Sequence, residues 1–443
     1  MRKSMNRIAF HTLGCKVNQY ETEAMRQQFE AAGYVVVPFK QTADIYMINS
    51  CTVTERADQE CRRLIRRALR QNSDALVYLT GCYAQLRSEE IAKISSIRGV
   101  IGNAERAKIV DYIRSETIQA GNSPSRPIIA VSDINRQKSY EPYRLDRFSG
   151  QTRAFLKIQD GCDLSCSFCA ITQARGPNRS RPMADLIQEA ERLSKNGYKE
   201  IILTGVRIES YGKDIKKVYT LSNVLQNLSQ LKDLERIRLS SVSPLALTDE
   251  LINLIAGQPK ICNHIHLSLQ SGDDKILREM RRPYQRQDVV DRIRRVAEAI
   301  PSVGIGSDMM VGFPGETAKN FDQSYGLIER LPIVYLHVFP YSPRPNTAAA
   351  DMPNQIPEET KAKQSRILRE LGKQKKEQFY KQFLGRTLSV IVENRYDKSG
   401  RLTGLSDNYI RVSFPGSENR MNQLIYVRLT KFQQEGMVGE EVF

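Results

Sequence analysis

A chain of 443 residues with 40% hydrophobic and 26% charged residues is long enough for about three domains and has the balance of a globular protein rather than a membrane-embedded one. No run of about 18 apolar residues is present to span a membrane, and MRKSMNRIAF runs into a strand-like segment rather than a secretory leader, so secretion is not expected and a cytoplasmic protein is. The net charge of +16 selects polyanionic partners, with nucleic acid first and an anionic membrane surface as the rival.

The first ninety residues contain three segments of one grammar, RIAFHTLGCKVN, DIYMINSCTVT and ALVYLTGCYAQ: an apolar run, a turn residue, a cysteine, then a polar helix start. If each is a strand followed by a helix, right-handed crossovers make a parallel sheet whose C-terminal edge carries Cys15, Cys51 and Cys82. Helix N-termini at such an edge stabilise anionic groups and lower thiol pKa values. Buried cysteine acting as a small hydrophobe is the plainer alternative. Between the second and third segments lies an arginine run, Arg62, Arg63, Arg66, Arg67 and Arg70, that reads as a solvated helix face or a phosphate-binding one.

Residues 116–147, rich in Ser, Pro and charge, read as a linker. From Ala154 to Tyr341 six strand-like segments alternate with helical ones: AFLKIQ, EIILTG, RIRLSS, HIHLSLQ, GIGSDMMVG and VYLHVFPY. Six βα units predict a partial (β/α)6 barrel with its site at the strand C-terminal ends. A second arginine run, from Arg278 to Arg295, falls within it. A basic helix, KAKQSRILRELGKQKKEQFYKQF, then leads to a tail from Gly385 with alternating segments TLSVIVEN, NYIRVSF and QLIYVRLTKF. Such a tail predicts a small all-β barrel of the OB type, which often binds oligonucleotides. From Lys381 onward it holds nine Lys/Arg against seven Asp/Glu, so its charge alone does not make it an RNA binder. The class expected for the whole chain is α/β, with domains at 1–115, 148–376 and 377–443.

Directly after the first barrel strand, Cys162, Cys166 and Cys169 form Cys-x3-Cys-x2-Cys in GCDLSCSFCA. Three thiolates on one loop hold three irons of a 4Fe-4S cluster and leave the fourth open to a substrate. The alternative is structural zinc, which wants a fourth ligand that the loop lacks. At later strand ends, Gly205, then Gln270, Ser271 and Gly272, then Asp308, Met310, Gly312, Phe313 and Gly315, with Phe339, are candidates to line one shared ligand. Cys61 and Cys262 belong to no triplet and read as structural. Cys262, His264 and His266 alternate along a strand, but neighbours on one strand face point in parallel and rarely converge on one ion. With four histidines, the chain shows no acid-base or nucleophile constellation and no catalytic side chain is named, which agrees with a cofactor carrying the hard step.

The Cys-x3-Cys-x2-Cys loop resembles the radical S-adenosylmethionine (SAM) superfamily. Together with Cys15, Cys51 and Cys82 and the β-rich tail, it resembles the methylthiotransferase family over nearly the whole chain. The resemblance implies two 4Fe-4S clusters, one on each cysteine triplet, and SAM as both methyl donor and radical source, bound through the strand-end residues. It also implies a tail of the TRAM kind that binds tRNA, and a flavodoxin- or ferredoxin-type electron donor. TLGCKVNQYETE, INSCTVTERAD, ARGPNRSRP and MRRPY resemble the branch acting on C2 of N6-threonylcarbamoyladenosine at position 37, in the tRNA anticodon loop, rather than those acting on isopentenyl-adenosine or on an aspartate of ribosomal protein S12. In that branch Arg175 and Arg281 or Arg282 are the expected substrate or RNA contacts, surface ion pairing being the alternative. A non-enzymatic, zinc-containing RNA-binding protein is the competing reading. Arg207 and Glu209 depart from the expected Asn and Gly, and Asn346 stands where the family pattern has Gly. No self-complementary surface is legible, so a monomer is expected.

Overall fold

The computed structural model describes residues 6–94, 96–119, 127–141, 143–215, 219–433 and 436–442. Two compact units emerge, one of residues 1–145, 159–182 and 342–347, the other of residues 146–158, 183–341 and 348–443.

The first unit is built on strands β1 (Arg7–Thr12), β2 (Val35–Val37), β3 (Ile45–Ser50), β4 (Leu76–Gly81), β5 (Gly99–Ile101) and β6 (Ile128–Ala130), with helices α1 (Lys16–Ala31), α2 (Glu55–Gln71), α3 (Cys82–Leu86), α4 (Ser88–Ala92) and α5 (Ile109–Gln119). The strands pair in parallel in the order β2-β1-β3-β4-β5-β6. Alternating side chains supply both faces: Ile8, Phe10, Ile45 and Met47 pack with Met25 and Phe29 of α1, while Ala9, Tyr46 and Ile48 pack with Leu64, Ile65 and Ala68 of α2. Thr54 caps α2 by accepting from the Ala57 N–H. The segment read as a linker lies partly outside the described residues, and Ile128–Ala130 within it forms the sixth strand of this sheet.

Strand β7 (Ala154–Lys157) opens the second unit. The cysteine loop then returns to the first unit, framed by β8 (Gln159–Asp160) and β9 (Arg179–Ser180) and containing α6 (Ile171–Arg175). The second unit continues through α7 (Met183–Lys195), β10 (Glu200–Thr204), α8 (Leu221–Ser229), β11 (Arg236–Leu239), β12 (Ser241–Val242), α9 (Asp249–Gly257), β13 (His264–Gln270), α10 (Asp274–Glu279), α11 (Arg286–Ala299), β14 (Gly304–Val311), α12 (Ala318–Arg330) and β15 (Tyr335–Pro340). Its strands form two parallel sheets, β7-β10-β11 and β12-β13-β14-β15, so all six expected barrel strands are present in the expected order, the third broken at Ser240.

Helix α13 (Glu358–Lys381) leads to β16 (Thr387–Tyr396), β17 (Leu402–Ser406), β18 (Arg411–Phe414), β19 (Leu424–Gln433) and β20 (Gly436–Val442), which close into a barrel in the order β16-β17-β18-β20-β19. Val390, Val412, Phe414 and Val427 fill it, and Phe379, Tyr380 and Phe383 from the end of α13 join the same core. The all-β tail is as expected; β17 and β20 are strands that alternation in the sequence did not reveal. No described helix is long and apolar enough to cross a membrane.

Candidate metal centres and the polar face of the barrel

In the first unit, parallel register sets Thr12 beside Asn49 and Asn49 beside Thr80, so β1, β3 and β4 end level with one another. Cys15 is the N-cap of α1, Cys51 follows β3, and Cys82 opens α3. All three thiols thus leave the same edge, as expected. Asn18 ties the loops by donating to the carbonyls of Leu13 and Ser50 at 2.8 and 3.0 Å, and the Ser50 hydroxyl donates to the Thr80 carbonyl at 2.5 Å. Gly14 is at φ +93, and a Cβ there would lie 2.7 Å from the Cys51 sulfur, so the loop closes over the thiol only with glycine. Burial pushes the Cys51 thiol up to about 12, with the Cys82 and Cys15 sulfurs adding to the rise; burial likewise raises Cys82, against the pull of Arg175. Such thiols become ligating thiolates when a metal supplies the compensating positive charge.

The loop of Cys162, Cys166 and Cys169 belongs to this unit too, with all three side chains partly exposed. The N–H of Leu164 donates to the Cys162 sulfur at 3.5 Å and that of Ile171 to the Cys169 sulfur at 3.4 Å, as the sulfurs of iron-sulfur ligands commonly accept. Gly161, at φ +71, lies where a Cβ would come within 1.8 Å of the Pro177 carbonyl oxygen. The donor chemistry fits clusters better than single ions. Among the described residues the group of His, Cys, Asp or Glu whose ligand atoms all lie within 4.8 Å of one another is His266, Asp308 and His337. Tetrahedral zinc gathers thiolates to about 3.8 Å, given a Zn–S bond of about 2.3 Å, and neither cysteine triplet is gathered in that way.

Arg175 is where sequence and structure part. It is 2% exposed, not a surface residue facing RNA: its guanidinium donates to Glu21 at 2.8 and 2.9 Å, to Asp160 at 3.0 Å and to Asn18 at 2.7 Å. Arg106 completes the group by bonding Glu21. The arginine that follows Cys169 therefore locks the cysteine loop onto α1, the helix that Cys15 caps. Nothing local in the sequence marks Glu21 as its partner.

In the second unit the strand ends divide into two kinds. Ser271 and Gly272 pack on α12: the Gly272 N–H donates to the Ser324 hydroxyl at 2.9 Å, and a Cβ on Gly272 would meet the Ser324 Cα at 2.8 Å. Gly312 packs on Lys361, its N–H donating to Glu316 at 2.6 Å, and Phe313 is fully buried edge-on to Tyr341. These positions are occupied by packing. Gln270, by contrast, has a left-handed backbone at φ 74 and a buried Oε1 without a hydrogen-bond partner, and the Thr204 hydroxyl before Gly205 is also buried and unpartnered. Orphaned polar atoms at the ends of β10 and β13, one in each sheet of this unit, are what a polar ligand would satisfy. Met310 and Phe339 are paired in register. Gly315, at φ +75, has open space where a Cβ would stand.

Asp308 turns toward two imidazoles, His266 at 2.9 Å and His337 at 3.4 Å. Burial raises its carboxyl, but the hydrogen bonds from those rings outweigh it and bring it to about 2. The Tyr335 hydroxyl joins His264 at 2.8 Å and His266 at 2.9 Å. His264 and His266 therefore serve a hydrogen-bond network rather than a site with Cys262, which is buried, as is Cys61. Sequence reasoning noticed the alternation on β13 but had no signal for Tyr335 or His337.

The substituted loop positions resolve simply. Arg207 and Glu209 pair at 2.9 Å, so the two departures are one compensated change. Asn346 sits at φ +61, a conformation that asparagine tolerates best after glycine. Arg281 is exposed at φ 56, whereas Arg282 donates to the Ser268 carbonyl and to the Tyr284 hydroxyl, both at 2.9 Å.

Residues 7–102 match the profile of Uncharacterized protein family UPF0004, and residues 156–328 that of the Radical SAM superfamily. A Bacillus subtilis (strain 168) protein named Threonylcarbamoyladenosine tRNA methylthiotransferase MtaB is 40% identical, covering 96% of this chain and 94% of its own. A Thermotoga maritima protein of the same name is 36% identical, over 98% and 97%. A tRNA-2-methylthio-N(6)-dimethylallyladenosine synthase of Clostridium tetani is 32% identical, over 97% and 95%. Among solved structures, the radical S-adenosylmethionine methyltransferase TsrM of Kitasatospora setae shares the fold with a TM-score of 0.57 at 16% identity, covering 78% of this chain and 74% of its own.

Proposed function

The chain belongs to the methylthiotransferase family of radical SAM proteins, and on that premise we propose that it adds a methylthio group to C2 of N6-threonylcarbamoyladenosine at position 37 of tRNA. The observation that carries the reading is the level ending of β1, β3 and β4, which gathers Cys15, Cys51 and Cys82 in the unit that also holds Cys162, Cys166 and Cys169. Each triplet would hold one 4Fe-4S cluster. When bound, the two clusters and SAM supply the electron, the radical, the sulfur and the methyl group. The chain's own residues do the positioning. Cys162, Cys166 and Cys169 would leave one iron corner free for SAM; within the second unit, Gln270 and Thr204 carry unpartnered buried polar atoms, Gly205 follows Thr204, and Met310 and Phe339 are paired in register, and these are the proposed SAM-binding residues of that unit. Gly14 closes the loop over Cys51, and Arg175 holds the cysteine loop to α1.

Exposed Arg281 belongs to the RNA contacts of this reading, as does the closed β barrel that follows α13. A flavodoxin- or ferredoxin-type donor, a cytoplasmic place and a monomeric state belong to the same proposal. Nucleoside mass spectrometry of tRNA from a strain lacking the gene tests it. Loss of 2-methylthio-N6-threonylcarbamoyladenosine with retention of the unthiolated nucleoside is expected. Retained methylthiolation there, with loss of the isopentenyl counterpart, assigns the other tRNA branch; unchanged tRNA with an unmodified S12 aspartate assigns the ribosomal one.

A further inference from the structure

Within the second unit, a cavity of about 430 Å³ opens between edge strand β15, the basic helix α13 and the turn that joins β17 to β18. Its volume falls within the roughly 300–1,000 Å³ of small-ligand sites. Arg153, Arg369, Lys373, Lys376 and Arg411 line it, and among the described lining residues none is acidic. Buried Glu393 holds Arg153 at 2.7 Å and Arg411 at 3.5 Å from outside the lining, and Arg369 donates to the Val338 carbonyl at 3.0 Å, so these guanidiniums are placed before any ligand arrives.

Tyr335, His337, Phe379, Tyr380 and Tyr409 make part of the remaining wall aromatic. Tyr409 stacks on His264 with ring centres 4.2 Å apart and lies 5.5 Å from Tyr335, while Arg238 covers it at 5.4 Å. Its backbone is left-handed, at φ 71, an unusual state for tyrosine that the stack holds in place. Gly306 makes room for the Tyr335 ring, since a Cβ there would come within 2.0 Å of it. His337 ends the column, 4.7 Å from His266, with its side chain 61% exposed. Cations beside an open aromatic face are the combination by which proteins hold single-stranded nucleic acid, phosphate on the charges and base on the ring. The cavity takes in Tyr335, the first residue of β15, and so lies toward the strand ends opposite those at which βα barrels do their chemistry.

We propose that this cavity seats one nucleotide of the tRNA other than the adenosine that reacts, its phosphate on Arg369, Lys373 and Lys376 and its base against His337. The inference rests on the tRNA reading above and adds to it a second anchoring point on the same RNA.

The test measures anaerobic binding of tRNA carrying unthiolated threonylcarbamoyladenosine to the cluster-loaded protein, across a salt series. Lys373→Glu is expected to weaken binding about ten-fold and to flatten the log-log salt slope by about one. His337→Ala is expected to weaken it about ten-fold with the slope unchanged, and His337→Phe to restore it, a signature that general destabilisation does not produce. Arg295→Glu, the same charge change on exposed α11, is the control and is expected to stay within about two-fold. Variants at 373 and 337 that bind like the control overturn the cavity while leaving the tRNA substrate intact. Wild type that binds no tRNA overturns both. AMP binding that both variants abolish while tRNA affinity holds makes the cavity a free-nucleotide site and likewise refutes the proposal.

Discussion

Replacing Arg175 by Met removes a guanidinium that bonds Glu21, Asp160 and Asn18, with Glu21 fully buried and Asp160 left with Arg179 at 3.8 Å. Deleting one partner of a buried ion pair costs up to about 3–5 kcal/mol; Glu21 keeps its bond to Arg106 here, so the lower end, about 3 kcal/mol, is expected. Arg175→Lys keeps the charge but loses the two-pronged geometry, and is expected to cost about a third of that. The loss should appear as local opening where the cysteine loop meets α1, so hydrogen exchange of peptides covering 16–31 and 171–180 is the assay. At about 1.4 kcal/mol per ten-fold, protection there falls by roughly two orders of magnitude in Arg175→Met. Glu21→Gln is combined with it in a double-mutant cycle, where a coupling of about 1–3 kcal/mol is expected. Additivity within about 0.5 kcal/mol, or a protection change under about five-fold in Arg175→Met, would refute the claim that this group locks the loop.

Anaerobically reconstituted protein should hold about eight irons, and the Cys162, Cys166 and Cys169 triple alanine variant about four, as three-thiolate ligation of two 4Fe-4S clusters requires; iron and sulfide assay with Mössbauer spectra decides it, and four irons in wild type would reduce Cys15, Cys51 and Cys82 to structural residues. Burial pushes the Glu316 carboxyl up to about 7 against the bonds from Gly312 and Gln364. The folded state thus keeps a proton that the unfolded chain releases near 4.5, and stability falls by about 3 kcal/mol as pH rises from about 4.5 to about 7. Glu316→Gln should remove that slope in denaturant melts at pH 5 and pH 8. Asn346→Ala should destabilise by about 1 kcal/mol at φ +61 while Asn346→Gly is near neutral, read from melting curves.

How much of this was legible depended on whether the signal lay within one stretch of chain. The Cys-x3-Cys-x2-Cys loop places its three sulfurs on adjacent turns, and the apolar runs before Cys15, Cys51 and Cys82 are each long enough to declare a strand. Six barrel strands followed for the same reason. Of the strands that went unseen, Val35–Val37, Gly99–Ile101 and Ile128–Ala130 are three residues each, too short for any period to show, while β17 and β20 carry glycines that interrupt the alternation.

The sequence by itself determined the order of the α/β sheet, barrel and β tail, and the family, because motif spacing and hydrophobic period are local properties of the chain. Only the tertiary structure decided what the strand-end and arginine positions do. Arg175 meets Glu21 across 154 residues of sequence, Gly272 meets Ser324 across 52, and His337 reaches Asp308 through register on a neighbouring strand. A buried charge must find its counterion and a missing Cβ its neighbour wherever the fold delivers them, and that delivery is set by the packing of whole elements, not by spacing along one of them.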